Sequence, residues 1–233
     1  MSTSGTFSFT MSRDDTISAA LRLTGAFGDQ DVIPPADIAN CAQALNILVK
    51  ELVTEGLPLW CVQDLGIPMV AGQAAYNLST ASGNILPPRI LFLYLRDSTG
   101  KDVTVTIVSR YDYDTLGSKT SQGRPNQAYY DPQLGAGSLV LYNVPQDNTT
   151  TLHVVYQRQI MDFNLATDNP DFPQEAYRLL KWCLADEIAL EYQTPADVRQ
   201  EIGLRAGTYR KNFFAFEQEQ TSIFFTPSER RMY

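Results

Sequence analysis

The chain has 233 residues, 44% hydrophobic and 19% charged, which is enough for a folded core and excludes a disordered protein. A net charge of −8, most of it before residue 173, excludes a protein that grips phosphates through a basic stripe, and no apolar run nears the roughly 18 residues of a membrane span. Cys41, Cys61 and Cys183 lie far apart in apolar sequence with no CxxC pair, which excludes a disulfide framework or zinc ribbon and predicts buried free thiols.

The first eleven residues, MSTSGTFSFTM, are uncharged and read as an extended arm. They have neither the basic n-region nor the apolar h-region of a secretory signal, so the expectation is a protein made and folded in a cytoplasm. Ser12 is placed to cap a first helix, with Asp14 and Asp15 against the positive end of its dipole. Ile17, Ala20, Leu21 and Thr24 mark its apolar side, and Gly25 its end. Pro34-Pro35 open a second helix over 36–55, whose apolar positions are Ile38, Cys41, Ala42, Leu45, Leu48, Val49 and Leu52; Gly56 and Pro58 stop it.

From Trp60 the texture changes to short strands, predicted over 60–62, 67–70, 75–78, 90–95, 103–108, 128–130, 139–142 and 152–157. Asp97 to Gly100 reads as a hairpin turn. Val103, Val105 and Ile107 alternate with Thr104 and Thr106, which predicts one buried and one wet face. The Gly-, Ser- and Thr-rich stretch 111–125 reads as a projecting loop.

The strongest helix signal is 172–192, FPQEAYRLLKWCLADEIALEY. Pro173 suits a first turn, and Tyr177, Leu180, Leu184 and Ile188 recur at helical spacing, with Leu179, Trp182, Cys183 and Leu190 widening the face. So broad a face needs other helices to cover it. Thr194-Pro195 then starts a last helix, running to about Gln220 with apolar positions Val198, Ile202, Ala206, Tyr209, Phe213 and Phe216. Gly203 and Gly207 inside it cost ~1 kcal/mol each against Ala, and predict either a closely packed neighbouring backbone or a bend.

The elements predict an α+β chain: a helical bundle formed by N- and C-terminal helices, an inserted antiparallel β domain, and an extended C-terminal arm. The expected divisions are 1–59 (arm and first helices), 60–171 (β domain), 172–220 (last helices) and 221–233 (arm).

Catalytic signatures are missing from this sequence. The only histidine, His153, sits in the alternating strand TLHVVYQ, where a packed or surface role is the better reading, and no serine lies in a nucleophile-elbow motif. The glycines of 134–138 precede a strand rather than a helix, so they read as a hairpin loop and not a phosphate cradle. Asp112 and Asp114 lack the remaining ligands of a calcium loop. Pairs among 26 acidic residues do not by themselves define a glycosidase. The reading is a non-enzyme with no cofactor and no metal.

The positive signal is the tail. Ile223, Phe224 and Phe225 form an aromatic cluster ahead of Arg230, Arg231 and Tyr233, and such a cluster needs a surface to bury it. Either it folds back on its own helices, or it docks on another chain with its arginines pairing with acids.

Three stretches carry a family resemblance: LNILVKELVTEGLPLWCVQDLGIPMVAGQAAYNL (45–78), the YYDPQ…LVLYNVP stretch (129–145) and 172–192. Together they resemble the head-to-tail adaptor (connector) proteins of tailed bacteriophages, especially short-tailed ones. The resemblance implies a homo-oligomeric ring, a dodecamer, between the portal protein and the tail nozzle protein. It implies a virion component in which helices line a channel that double-stranded DNA passes without specific binding, and an arm, here 221–233, that embraces the portal. Tail fibres are a further candidate partner for the β region. The other readings are a tail or fibre-attachment structural protein, or a cell-wall hydrolase carried in the virion.

Overall fold

The computed structural model describes residues 4–55, 59–79 and 86–216. Helix α1 spans Arg13–Thr24 and α2 spans Pro35–Glu55. A 3₁₀ turn at Leu59–Cys61 leads into β1 (Val62–Pro68), followed by β2 (Ala75–Leu78), β3 (Arg89–Arg96) and β4 (Asp102–Ile107). A short helix α3 (Arg110–Thr115), β5 (Gln122–Gly123), β6 (Gln127–Asp131), β7 (Gly137–Tyr142), β8 (Val144–Pro145) and β9 (Thr151–Gln157) complete the β region. A second 3₁₀ turn, Gln174–Ala176, opens α4 (Tyr177–Ile188), and α5 spans Ala196–Phe216. The α+β class is as expected.

The N-terminal helix follows its sequence closely. Ser12 Oγ accepts from the Asp15 N–H while Asp15 Oδ2 accepts from the Ser12 N–H, a reciprocal capping box, and Gly25 ends the helix at φ 76°. Ile17, Ala20, Leu21 and Thr24 are all buried. On α2 the expected apolar positions from Cys41 to Leu52 are buried and Ile38 is half-buried, while Gly56 and Pro58 lie outside the described residues.

Seven strands form one sheet in the order β1-β9-β3-β4-β6-β7-β2. The sheet is mixed rather than antiparallel: β4 pairs with β6 in parallel, as β5 does with β8 in a separate two-stranded ladder. A parallel pair needs a crossover between its strands, and the stretch expected as a loop supplies it, holding α3 and β5. The strands expected at 60–62 and 67–70 are a 3₁₀ turn and a single strand, β1. The edge strands β1 and β2 are joined by only residues 69–74, so the two edges lie within one short connection and the sheet curls. Curling lets its two halves share one core, in which Leu93, Leu95 and Val154 meet Leu78, Leu139 and Leu141. A bulge at Leu91, between the paired Ile90 and Phe92, turns Ile90 inward and Phe92 outward. Gly137 sits where a Cβ would lie 2.4 Å from the Tyr130 hydroxyl, so the Tyr130 ring fills the space a side chain would take.

A second core is helical. Ile17, Leu21, Leu45, Leu48, Leu180, Leu184, Ile188 and Ile202 belong to it, with α4 packed against α1, α2 and α5. The three cysteines form no disulfide and are buried within this core, and burial pushes the Cys183 thiol up to about 12. The helix expected over 172–192 is shorter. It starts in a 3₁₀ turn after Pro173 and unwinds past Ile188 into turns ending at Gln193, φ 52°. Leu190, expected on the apolar face, lies in those turns and is exposed. Tyr192 fixes the unwound end by donating to Asp37 Oδ1 at 2.9 Å.

Candidate interaction surface at the end of the last helix

The chain passes between the two cores at 59–62 and again at 157–172, and the two passages are tied together. The Arg158 N–H donates to Cys61 O at 2.8 Å, and the Arg158 guanidinium grips both oxygens of Asp171. Asp171 Oδ2 also accepts from the Met161 N–H, and its carbonyl accepts from Trp60 Nε1 at 3.2 Å. Burial alone would raise the Asp171 carboxyl, but those hydrogen bonds and the Arg158 and Lys50 charges hold it below its ordinary 3.8. Beyond the joint, Asn46 clamps one peptide unit of the crossing strap. Its Nδ2 donates to Phe163 O (3.1 Å) and its Oδ1 accepts from Phe163 N–H (2.9 Å).

This joint also anchors α5. Phe213 packs edge-on against Trp60 at 5.7 Å, and Trp60 packs on Phe172 at 5.6 Å. Arg210, one turn earlier, bonds Glu51 Oε1 at 3.0 Å and Glu55 Oε2 at 2.5 Å on α2. Otherwise α5 is lightly held: of its 21 residues only Ile202, Ala206 and Phe213 are buried. Phe216, expected on the apolar face, is 71% exposed. Beside it an open groove of about 240 Å³ runs between α4 and α5, lined by Leu179, Tyr209, Phe213 and Phe216 with Glu175 and Arg178 at its rim. The groove continues into a strip of cations laid on rings, with Arg178 5.4 Å from Tyr209 and Arg205 5.2 Å from Trp182. On an acidic chain this strip is a local departure in charge.

The tail residues Ile223, Phe224, Phe225, Arg230, Arg231 and Tyr233 lie outside the described residues. Sequence reasoning missed the groove and strip that precede them. The strip's trace was present in the spacing: Arg178 and Trp182, and Arg205 and Tyr209, are each four apart, one helical turn.

The β region presents a second polar and aromatic surface, on the outer face of β1, β9, β3 and β4. His153 stacks on Tyr94 at 4.6 Å and 9°, Tyr94 donates to Asp64 Oδ2 at 2.6 Å, and His153 Nδ1 lies 3.0 Å from Asp64 Oδ1. Phe92 extends the row and Arg96 closes it, paired with Asp102. His153 is half-buried in this network, a packed position of the kind its strand pattern suggested. Asp112 caps α3 with Ser109, and Asp114 lies 3.7 Å from Arg110. Among the described residues no group of three or more His, Cys, Asp or Glu is placed to hold a metal ion, and no helix is long and apolar enough to cross a membrane.

The profile of the SU10 adaptor proteins matches residues 11–224, nearly the whole chain. The chain belongs to the SU10 adaptor protein family. Membership makes it a bacteriophage structural protein, a component of the virion that associates with other head and tail proteins, in line with the head-to-tail resemblance of its sequence. No curated protein matches the chain.

Proposed function

We propose that this adaptor forms the ring between the portal and the tail nozzle, as a dodecamer whose helices form one bundle around a channel for double-stranded DNA. The family match over 11–224 carries the reading. Three features support its details. The net charge of −8 suits a conduit that must not retain its cargo, because an acidic wall repels phosphates. A long helix with three buried residues leaves most of its surface for contacts beyond the subunit. In sequence that helix leads to 221–233, whose Ile223, Phe224 and Phe225 are apolar anchors and whose Arg230 and Arg231 are charged ones, with Tyr233 at the end. These residues are the portal contact in this reading.

The deciding experiment mixes purified protein with purified portal rings and images the product by cryo-electron microscopy. Intact protein is expected to add a twelvefold ring to the portal, and protein ending at Gln220 is expected to leave the portal bare. Equal assembly by both forms would remove the C-terminal segment from the portal contact, and a different symmetry would replace the copy number. A second reading, attachment of a tail fibre by the β region, draws on the Phe92–Tyr94–His153 row, of which Phe92 is exposed and the other two half-buried. It predicts that Phe92→Ala leaves ring formation intact and lowers fibre content of assembled virions.

A further inference from the structure

We propose that the groove between α4 and α5 is the seat of the chain's own Ile223-Phe224-Phe225 in the unassembled subunit, and that docking on a partner draws the triplet out; the second half rests on 221–233 being the docking segment.

The groove is open, apolar and unfilled by any described side chain: Leu179, Tyr209, Phe213 and Phe216 face a volume of about 240 Å³. The chain leaves directly from it, since Phe216 is both a lining residue and the last described residue of α5. Seventeen residues follow, and their longest run of consecutive apolar residues is Ile223 to Phe225. From Phe216 to Ile223 an extended chain reaches roughly 20 Å or more. The groove, from Tyr209 to Phe216 along the helix, is about 10 Å long. The segment therefore has length to turn back and lay the triplet along it.

Charge fits the same path. Glu217 and Glu219 precede the triplet and Arg230 and Arg231 follow it, while the groove's rim offers Arg178 and Glu175, and the neighbouring strip offers Lys181 and Arg205. A tether this short gives an effective concentration on the order of millimolar, far above the concentration of other copies in solution. The chain's own triplet is thus favoured over a neighbour's until a partner surface competes for it. Parking the aromatics would also keep free subunits from associating through them before the partner ring is present.

The test uses the full-length chain carrying Asn212→Cys, at the groove, and Ser222→Cys, beside the triplet, oxidised at low protein concentration. The native cysteines are buried, so the introduced pair reacts first. A disulfide within one chain is the expected product. A disulfide between chains would overturn the proposal in favour of a neighbour's triplet, and no disulfide would overturn the groove as its seat. Adding Phe224→Asp should lower the within-chain yield about tenfold, because burial of the ring is what holds the segment in place. An unchanged yield would mean that the tether alone brings the thiols together, and would also overturn the proposal. The second half is read on portal rings: oxidised protein should fail to assemble and regain assembly on reduction. Assembly while oxidised overturns the release step alone. If the reduced protein also fails, the portal reading is wrong and the cross-link result stands.

Discussion

At the scale of single residues, Asp171 carries more than any other side chain on the surface between the two cores. Its carboxylate holds the Arg158 guanidinium and the Met161 N–H together, in a place where the Arg158 side chain is only 12% exposed. Asp171→Asn removes the charge that pairs with Arg158 and leaves a largely buried cation short of an acceptor. The expected cost is ~1–3 kcal/mol, read as a lower urea midpoint. The pH dependence has a defined sign. A carboxyl held below 3.8 in the folded state binds fewer protons there than in the unfolded chain, so its contribution is complete above that value and is lost as pH falls through the folded pKa. The stability gap between wild type and Asp171→Asn should therefore narrow as pH falls below 3.8 and close once it has passed the folded pKa, and a gap that does not narrow on acidification would assign the effect to packing.

At the scale of elements, legibility followed the locality of the signal. The Ser12 cap, the Gly25 stop and the apolar stripe of α2 each depend on residues within a few turns, and they stand in the structure where the spacing put them. The bulge at Leu91 was invisible, because strict alternation puts Ile90 and Phe92 on one face and only pairing with β9 reveals the extra residue. The parallel β4–β6 pair was missed for the same reason, since no local pattern reports strand direction. Helix α4 ended early because Tyr192 reaches across to Asp37 on α2, a contact 155 residues away in sequence. The groove could not be read from sequence, since it exists only where residues 175–179 and 209–216, far apart in the chain, come together.

The paired glycines of α5 were read as marks of a close backbone or a bend, and the structure puts no close neighbour at Gly207. The helix runs unbroken from Ala196 to Phe216, and a Cβ at Gly207 would meet no atom within 4 Å, whereas one at Gly203 would meet Asp186 Oδ1 at 3.3 Å. Inside the subunit, Gly207 therefore costs helix stability without any packing return. Gly207→Ala should raise the stability of the isolated subunit by about 0.5–1 kcal/mol, seen as a higher melting temperature. A lower melting temperature would mean that α5 needs the glycine for a conformation other than this continuous helix.

At the scale of the whole molecule, two hydrophobic cores hang on one polar and aromatic joint, and the chain offers a way to watch them separately. Its two tryptophans, Trp60 and Trp182, both pack against the helical core, while the sheet's core has none among the described residues. Tryptophan emission therefore reports the helices, and amide exchange in β9 reports the sheet. The joint couples them through covalent neighbours as well as contacts: Arg158 follows β9 directly, and Trp60 lies just before β1 and touches Phe213 of α5. Opening either core pulls on Arg158–Asp171, so the two should unfold as one cooperative unit at neutral pH. The expected result is a single urea midpoint for Trp emission and for loss of β9 protection in wild type, and two midpoints in Asp171→Asn. Two midpoints already in wild type would show the cores to be independent, and a single midpoint in the variant would place the coupling in the Trp60–Phe172–Phe213 contacts instead.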